Sequence, residues 1–486
     1  MKSSGSLAGR ALLAVGLMIG FYGLAIGLAG VLLFLPYAEL VYAHRLHLNI
    51  AIFSLVGAGT ILWSIVPRWD RFEAPGPLLE PTRHPKLFAE IEGVARATGQ
   101  AMPAEVFLVG DVNAWVAQRG GVMGLSSQRV MGLGLPLLQV LSVSELRAVL
   151  AHEFGHFYGG DTRLGPWVYK TRAAIGRTLA GLSDSILQKP FLWYGKLFLW
   201  TSQAVSRRQE FSADALASRV VGARPLVEGL KKVQTAAPAF DAYWSQEVRP
   251  VLQAGYLPPL ADGFRRFAAQ ERIAQAMEGM LEKSLGEAKT DPYDTHPTLP
   301  ERIAAVAGLP AGPDPAGEPR AVSLLSDLGE VERRWLAQVA GPEQVEKLRS
   351  VTWEDALATA FLPGWREAVA SNRAALEGAT VGALGEVLAE APARLGRLSE
   401  PAGEEESAEA GAGHLRWLLA AAVTLALERA GWTLDAPPGA PVTARRDGAE
   451  VYPFEVVQGL ASGQLAAEDW RARAARLGVD ALRLDG

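Results

Sequence analysis

Residues 11–38 form a run of 28 without a single Asp, Glu, Lys or Arg, and residues 46–67 form a second such run of 22. At about 1.5 Å of rise per residue, either run is long enough to cross roughly 30 Å of hydrocarbon as a helix. Hydrocarbon offers no partner to a backbone N–H or C=O, so a chain crossing it must bond to itself, and a pair of such runs implies a helical hairpin. The expectation is a transmembrane hairpin over residues 1–70. A cleaved signal peptide explains the first run less well, because its apolar stretch exceeds an ordinary h-region and a second run follows. Lys2 and Arg10 precede the first run, only Arg45 lies between the runs, and Arg68, Arg71, Arg83 and Lys86 follow the second. The positive-inside rule then places both flanks on the cytoplasmic face. The expected location is therefore an inner membrane, multi-pass, with the remainder of the chain facing the cytoplasm.

That remainder is too long for one core, since 486 residues at about 150 per domain imply two or three folded units. Hydrophobic residues make up 49% and charged residues 20%, which suits a membrane-anchored soluble protein better than either extreme. A net charge of −5 and the lack of any basic stripe argue against nucleic acid as a partner. With no cysteine, disulfides, thiolate catalysis and cysteine-bound metal are all excluded, and His, Asp and Glu remain as possible ligands.

Between residues 71 and 308 the pattern is dominated by helical periodicity, with short strand candidates at Glu105–Val109 and Val130–Gly134. The Pro/Gly-rich stretch Leu309–Pro319 and the acidic stretch Glu400–Gly413 punctuate the tail. A helical accessory region over 321–398 and a small α+β region over 414–486 are expected. In the latter, Asp447-Gly448 between alternating residues reads as a hairpin turn, with a helix from Ala466. Pro190–Val205 is apolar and rich in Trp and Tyr but short and interrupted by Lys196, so it reads either as a buried or amphipathic helix pair or as a membrane-associated hairpin.

The segment Ser144-Glu-Leu-Arg-Ala-Val-Leu-Ala-His152-Glu153-Phe-Gly-His156 runs from good helix formers into HExxH. Two histidines four apart on a helix lie one turn above each other, so both imidazoles can reach one Zn²⁺. Glu153 then lies where it can take a proton from a metal-bound water. A third protein ligand is needed. The metzincin pattern would put a His at position 162, which is Thr, so that branch fails. A carboxylate from a later helix is the other branch, and Ser206–Asp214 supplies Glu210, with Asp214 four residues on and on the same face. Asp214 is suited to accept from the far nitrogen of a ligand histidine.

In these motifs and their order the chain resembles the M48 family of metallopeptidases, which includes the CAAX prenyl peptidases and bacterial heat-shock membrane proteases. His152, Glu153, His156 and Asp161 match that family's HExxH and its following Asp, and Ser206, Arg207, Glu210 and Asp214 match its later SRxxExxxD segment. His296, Pro297 and Arg302 match its HPxxxxRI segment, which implies a role in binding substrate or stabilising the tetrahedral intermediate. Arg302 could bind a substrate carboxylate or the oxyanion, or salt-bridge a neighbouring helix. Asn113-Ala114-Trp115-Val116 only approximates the family's NAFA segment, so Asn113 and Ala114 are expected beside the substrate while Trp115 and Val116 alter the pocket. The resemblance covers residues 71–308.

The expected fold is mainly α: a transmembrane hairpin, a gluzincin-like helical metallopeptidase domain with a small edge sheet, and an α+β accessory region. The expected function is a membrane-anchored endopeptidase carrying one Zn²⁺ per chain on His152, His156 and Glu210. Its partners would be polypeptides, membrane proteins among them, and the bilayer, with a role in membrane-protein quality control or processing. A catalytically inactive membrane-anchored scaffold is the rival. An intramembrane protease reading, prompted by the Leu484-Asp485-Gly486 ending, fails because Glu145, Arg147 and Asp161 flank HExxH. His44, His47, His84 and His414 lack ligand spacing.

Overall fold

A computed structural model describes residues 4–66, 72–119, 128–157, 165–287, 296–398 and 408–485. Asp161 lies outside them. The chain is mainly helical and divides into two compact units, Met1–Thr235 with Met280–Ser326, and Ala236–Gly279 with Asp327–Gly486.

In the first unit, α1 (Ser4–Tyr42) and α2 (Leu48–Ile65) are joined by a short turn in which the His47 backbone N–H and the ring Nδ1 both contact the Glu39 carboxylate, each at 3.1 Å. Met18, Phe21, Ala25, Ala29 and Leu32 of α1 are buried, as are Ala51, Ser54, Ala58 and Ile61 of α2. These are steps of three and four residues, the spacing of a helix–helix seam, and the many small residues let the backbones approach. The opposite faces expose Ile19, Ile26, Phe34, Ile52, Phe53 and Trp63, an outer surface suited to lipid. The helices α6 (Gly165–Gly181) and α7 (Gln188–Val220) join the same apolar cluster through Ala174 and Ile175, and through Phe191 and Phe198.

The strands β1 (Leu78–Leu79), β2 (Glu105–Val109), β3 (Ala114–Arg119) and β4 (Gln128–Gly134) form one small sheet in the order β1-β2-β4-β3. β2 and β4 pair in parallel, while β3 runs antiparallel to β4 and ends the sheet. Trp115 stands opposite Gly132, where a Cβ would lie 2.3 Å from the indole, so only glycine leaves room for that ring. On chain order, α3 (Pro85–Ala97) precedes β2, and α4 (Leu135–Val140) and α5 (Val143–Gly155) follow β4. α8 (Ala223–Tyr243) follows α7.

The second unit has its own core. Its centre is the helix Ala408–Arg429, with Leu418, Leu419, Ala421, Ala422, Val423 and Leu427 fully enclosed. Three helices in the described residues are long and apolar enough to cross a membrane: Val15–Tyr42, Leu48–Ile65 and Glu409–Arg429. The third is 67% buried inside the protein against 28% and 33% for the others, which makes its apolarity that of a core helix. Thr443–Arg446 and Ala449–Val451 form the expected hairpin on Asp447-Gly448, both residues at positive φ (52° and 78°), the two-residue turn that matches strand twist. A helix follows at Ala467–Arg476. Leu484 is fully buried and Asp485 is held by Arg483 and the Gly378 N–H, so this ending serves as packing of the tail.

Candidate metal centre

α5 begins at Ser142, whose hydroxyl accepts from the Glu145 N–H while the Glu145 carboxylate accepts from the Ser142 N–H at 2.7 Å. This capping box satisfies donors that a helix start otherwise leaves open. Glu145 is fully buried, and Lys232 of α8 meets both its oxygens at 2.7 Å. Glu318 accepts from the Ser144 N–H at 2.9 Å and the Pro319 carbonyl from the Val143 N–H, so the stretch Leu309–Pro319, which the sequence suggests is a boundary, straps the start of the HExxH helix. Ser142-Val-Ser-Glu145 spells a capping box in the sequence itself, a signal for Glu145; nothing local announces Glu318 or Lys232.

At the other end of α5, a Cβ on Gly155 would lie 2.8 Å from the Ala213 Cα, so the helix backbones meet there directly. That approach sets His152 and His156 of the HExxH segment against Glu210 of α7. His152 Nε2 lies 3.4 Å from Glu210 Oε2 and His156 Nε2 lies 3.7 Å from Glu210 Oε1, and the three candidate ligand atoms fall within 4.8 Å of one another. Ligands about 2.0–2.1 Å from a tetrahedral zinc stand roughly 3.3 Å apart, which these separations approach. Glu210 Oε2 is buried and meets no donor at full hydrogen-bond geometry among the described residues; its neighbours are His152 Nε2 at 3.4 Å and Arg302 Nη2 at 3.8 Å, spacings that leave it able to take a cation. The residues present therefore fit a metal ion.

Behind the ligands, Asp214 is fully buried and its Oδ1 lies 2.9 Å from His152 Nδ1, which directs Nε2 toward Glu210. Arg302, on the helix Leu299–Val306, donates Nε to Asp214 Oδ2 at 2.8 Å and Nη2 to Oδ1 at 2.6 Å. Its guanidinium is thus committed to Asp214, the ion-pair alternative of the sequence reading. That helix is held to α7 by Arg207, whose Nη2 meets both Glu301 oxygens at 2.9 Å, and Glu301 also closes a capping box with Thr298. His296, largely exposed, brings Nδ1 to 3.1 Å from Glu210 Oε1. Asn113 lies on the turn before β3, its carbonyl accepting from the Gly134 N–H, and Ala114 is buried at the start of that edge strand. His84 is buried and its Nδ1 accepts from the Ser326 N–H, a satisfied core histidine.

Charge is unevenly distributed here. Burial lowers the His152 pKa, but its bonds to Asp214 and Glu210 outweigh that and lift it to about 9. Burial and the neighbouring His152 push His156 down to about 4. Glu153 is raised to about 7 by burial. Against burial, the contacts with His152 and His296 hold the Glu210 carboxyl well below the usual carboxylate range.

An HExxH helix whose two histidines face a carboxylate from a second helix is a donor set that could hold one metal ion. Residues 81–309 match the family model of peptidase family M48 and form a domain of that family. Protease HtpX of Idiomarina loihiensis is 26% identical over 207 residues, 38% of this chain and 70% of that protein. Protease HtpX of Stenotrophomonas maltophilia is 25% identical over 202 residues, covering 36% and 68%, and a Protease HtpX homolog of Tropheryma whipplei is 31% identical over 112 residues, covering 23% and 35%. No solved structure matches. The comparisons thus make the domain that of a peptidase.

Proposed function

We propose that this chain is a membrane-anchored zinc endopeptidase that hydrolyses polypeptides at the face of the bilayer. The observation that carries the reading is the convergence of His152, His156 and the buried carboxylate of Glu210, whose candidate ligand atoms lie within 4.8 Å of one another. These three residues would hold the zinc, whose contribution when bound is to polarise the scissile carbonyl and acidify a water. Glu153, the residue after the first of those histidines, would take a proton from that water and return it to the leaving amine. Asp214 holds the His152 ring by Nδ1, and Arg302 holds Asp214, so both act as positioning residues. His296, at the open side of Glu210, is placed to donate to the oxyanion. An extended substrate would pair with the edge of β3 after Asn113 and Ala114, which makes recognition depend mainly on backbone. The first two apolar helices would span the membrane, and the Lys/Arg distribution supports a centre on the cytoplasmic side. A site so placed suits membrane-protein quality control or processing.

The test is metal content by mass spectrometry beside casein cleavage in detergent, wild type against Glu153→Gln. About one zinc per chain in both, with cleavage lost only in the variant, is expected. Absence of zinc together with absence of cleavage would overturn the reading in favour of an inactive scaffold, and equal cleavage by the variant would overturn the role given to Glu153.

A further inference from the structure

The α6–α7 hairpin is tied to the first two helices at matching heights. Ser64 Oγ of α2 lies 2.6 Å from Thr178 Oγ1 of α6, and Arg177 Nε donates to the Ser64 carbonyl at 3.1 Å. Gly181 faces the Thr60 methyl, and Leu187, at the tip, lies against Gly57, near the midpoint of α2. On α7, Gly195 lies against Ile175 and Leu179, which flank Thr178, so Gly195 is level with Ser64. From Gly195 back to Leu187 the chain therefore descends along α2 by eight residues, about 12 Å of helix, toward the middle of the candidate span.

Three further features agree with burial in lipid. Trp63 and Trp193 are 71% and 68% exposed at that common level, Trp200 follows two turns outward on the same face of α7, and exposed Lys196 lies between the two α7 tryptophans. Indole rings at the headgroup level with a lysine reaching for phosphates mark a membrane interface. Below that level, Ile186 and Leu192 are exposed. The tip also bonds to itself: the N–H groups of Leu182, Ser183, Ser185, Leu187, Gln188 and Lys189 all donate within the hairpin, and Gln188 Nε2 donates to the Leu179 carbonyl. Lipid demands such self-sufficiency. Asp184, at φ 61°, and Lys189 are both exposed at the tip; at the depth of Gly57 these charges need water or headgroup contact, and they oppose any deeper passage.

We propose that the α6–α7 hairpin is a re-entrant element that dips from the metal-centre side into the nearer leaflet and turns at the depth of Gly57. The partner is the lipid itself, headgroups against Trp193, Lys196 and Trp200 and acyl chains against Ile186 and Leu192. The proposal rests on reading α1 and α2 as membrane-spanning. Because α7 is one helix from Gln188 to Val220, Glu210 stands fifteen residues, about 22 Å, beyond Gly195. The inserted half thereby sets the height of the cleft above the membrane, within reach of juxtamembrane segments of a polypeptide.

The chain has no cysteine, so single-cysteine variants of the full-length protein can be spin-labelled directly. Ile186→Cys, Val56→Cys on the outer face of α2 and Glu330→Cys in the tail are reconstituted in phosphatidylethanolamine/phosphatidylglycerol vesicles, and collision with oxygen and with a nickel chelate is measured. An oxygen-to-nickel ratio at Ile186 like that at Val56, and several-fold above Glu330, is expected. A nickel-dominated label at Ile186, or one shielded from both reagents by protein, overturns the hairpin while leaving the span intact. Nickel access at Val56 as well overturns the spanning reading and the hairpin with it.

Discussion

Replacing Asp214 by Asn should disturb the centre through Arg302 rather than through shape. The amide is isosteric and its oxygen, kept at the Oδ1 position, can still accept from His152 Nδ1 and Arg302 Nη2, but the carboxylate charge is gone and the amide nitrogen faces Arg302 Nε, which loses its 2.8 Å bond. Its side chain is only 13% exposed, and removing one partner of a buried ion pair costs about 3–5 kcal/mol because the other charge is left uncompensated. The nearest remaining carboxylate oxygen is Glu210 Oε2, 3.8 Å from Nη2, the same oxygen offered to the metal. Arg302 should turn to it and compete with zinc. A loss of about 10–100-fold in zinc affinity is expected, or roughly 1.4–2.8 kcal/mol. Removing the competitor should restore part of the loss, so Asp214→Asn/Arg302→Met should bind zinc more tightly than Asp214→Asn alone. The assay is a double-mutant cycle on zinc affinity, by chelator-dye competition in detergent at fixed pH. Losses that simply add to within about 0.5 kcal/mol would refute the competition.

Other substitutions probe the supports of the site. Gly155→Ala, which would ordinarily gain about 0.5–1 kcal/mol in a helix, should instead cost about 1–3 kcal/mol because the new Cβ meets the Ala213 backbone; a raised melting temperature would contradict this. Glu318→Ala should lower thermal stability by about 1 kcal/mol through loss of the bond to the Ser144 N–H, with Glu318→Gln milder. In the second unit burial raises the carboxyls of Glu332 and Glu247, each of which also accepts backbone N–H bonds that lower it. A folded-state pKa above the unfolded value means that the folded form holds its proton longer. Their contribution is therefore complete below the ordinary carboxylate range and is lost as pH rises through the raised values. Corrected for the base-catalysed intrinsic rate, the protection of this unit against hydrogen exchange should be greater at pH 5 than at pH 8, and Glu247→Gln should reduce the difference; greater protection at pH 8 would sink the argument.

Much of the site was readable because its chemistry obeys local periodicity. His152 and His156 are one helical turn apart wherever that helix sits, and Glu210 and Asp214 share a face for the same reason. The charge-free runs and the Asp447-Gly448 turn are equally local: their meaning depends on helix rise and on the positive φ that Asp and Gly tolerate. Strand limits at Glu105–Val109 were legible from β-rich residues bounded by Pro103 and Gly110. The apolar segment Glu409–Arg429 shows the limit, since composition alone makes it a third candidate span and only its surroundings make it a core helix.

What the sequence by itself determined was the identity and helical spacing of the ligands, the apolar hairpin and the turn chemistry, all set within a few residues by backbone geometry. The tertiary structure alone decided that Arg302 grips Asp214 from 88 residues away, that the proline-rich stretch before Arg320 caps the HExxH helix, that Lys232 neutralises buried Glu145, and that residues 236–279 pack with the tail. Those are long-range pairings, and burial is what makes them necessary. A charge or helix end removed from water must find a partner, but nothing in its neighbours along the chain says which one.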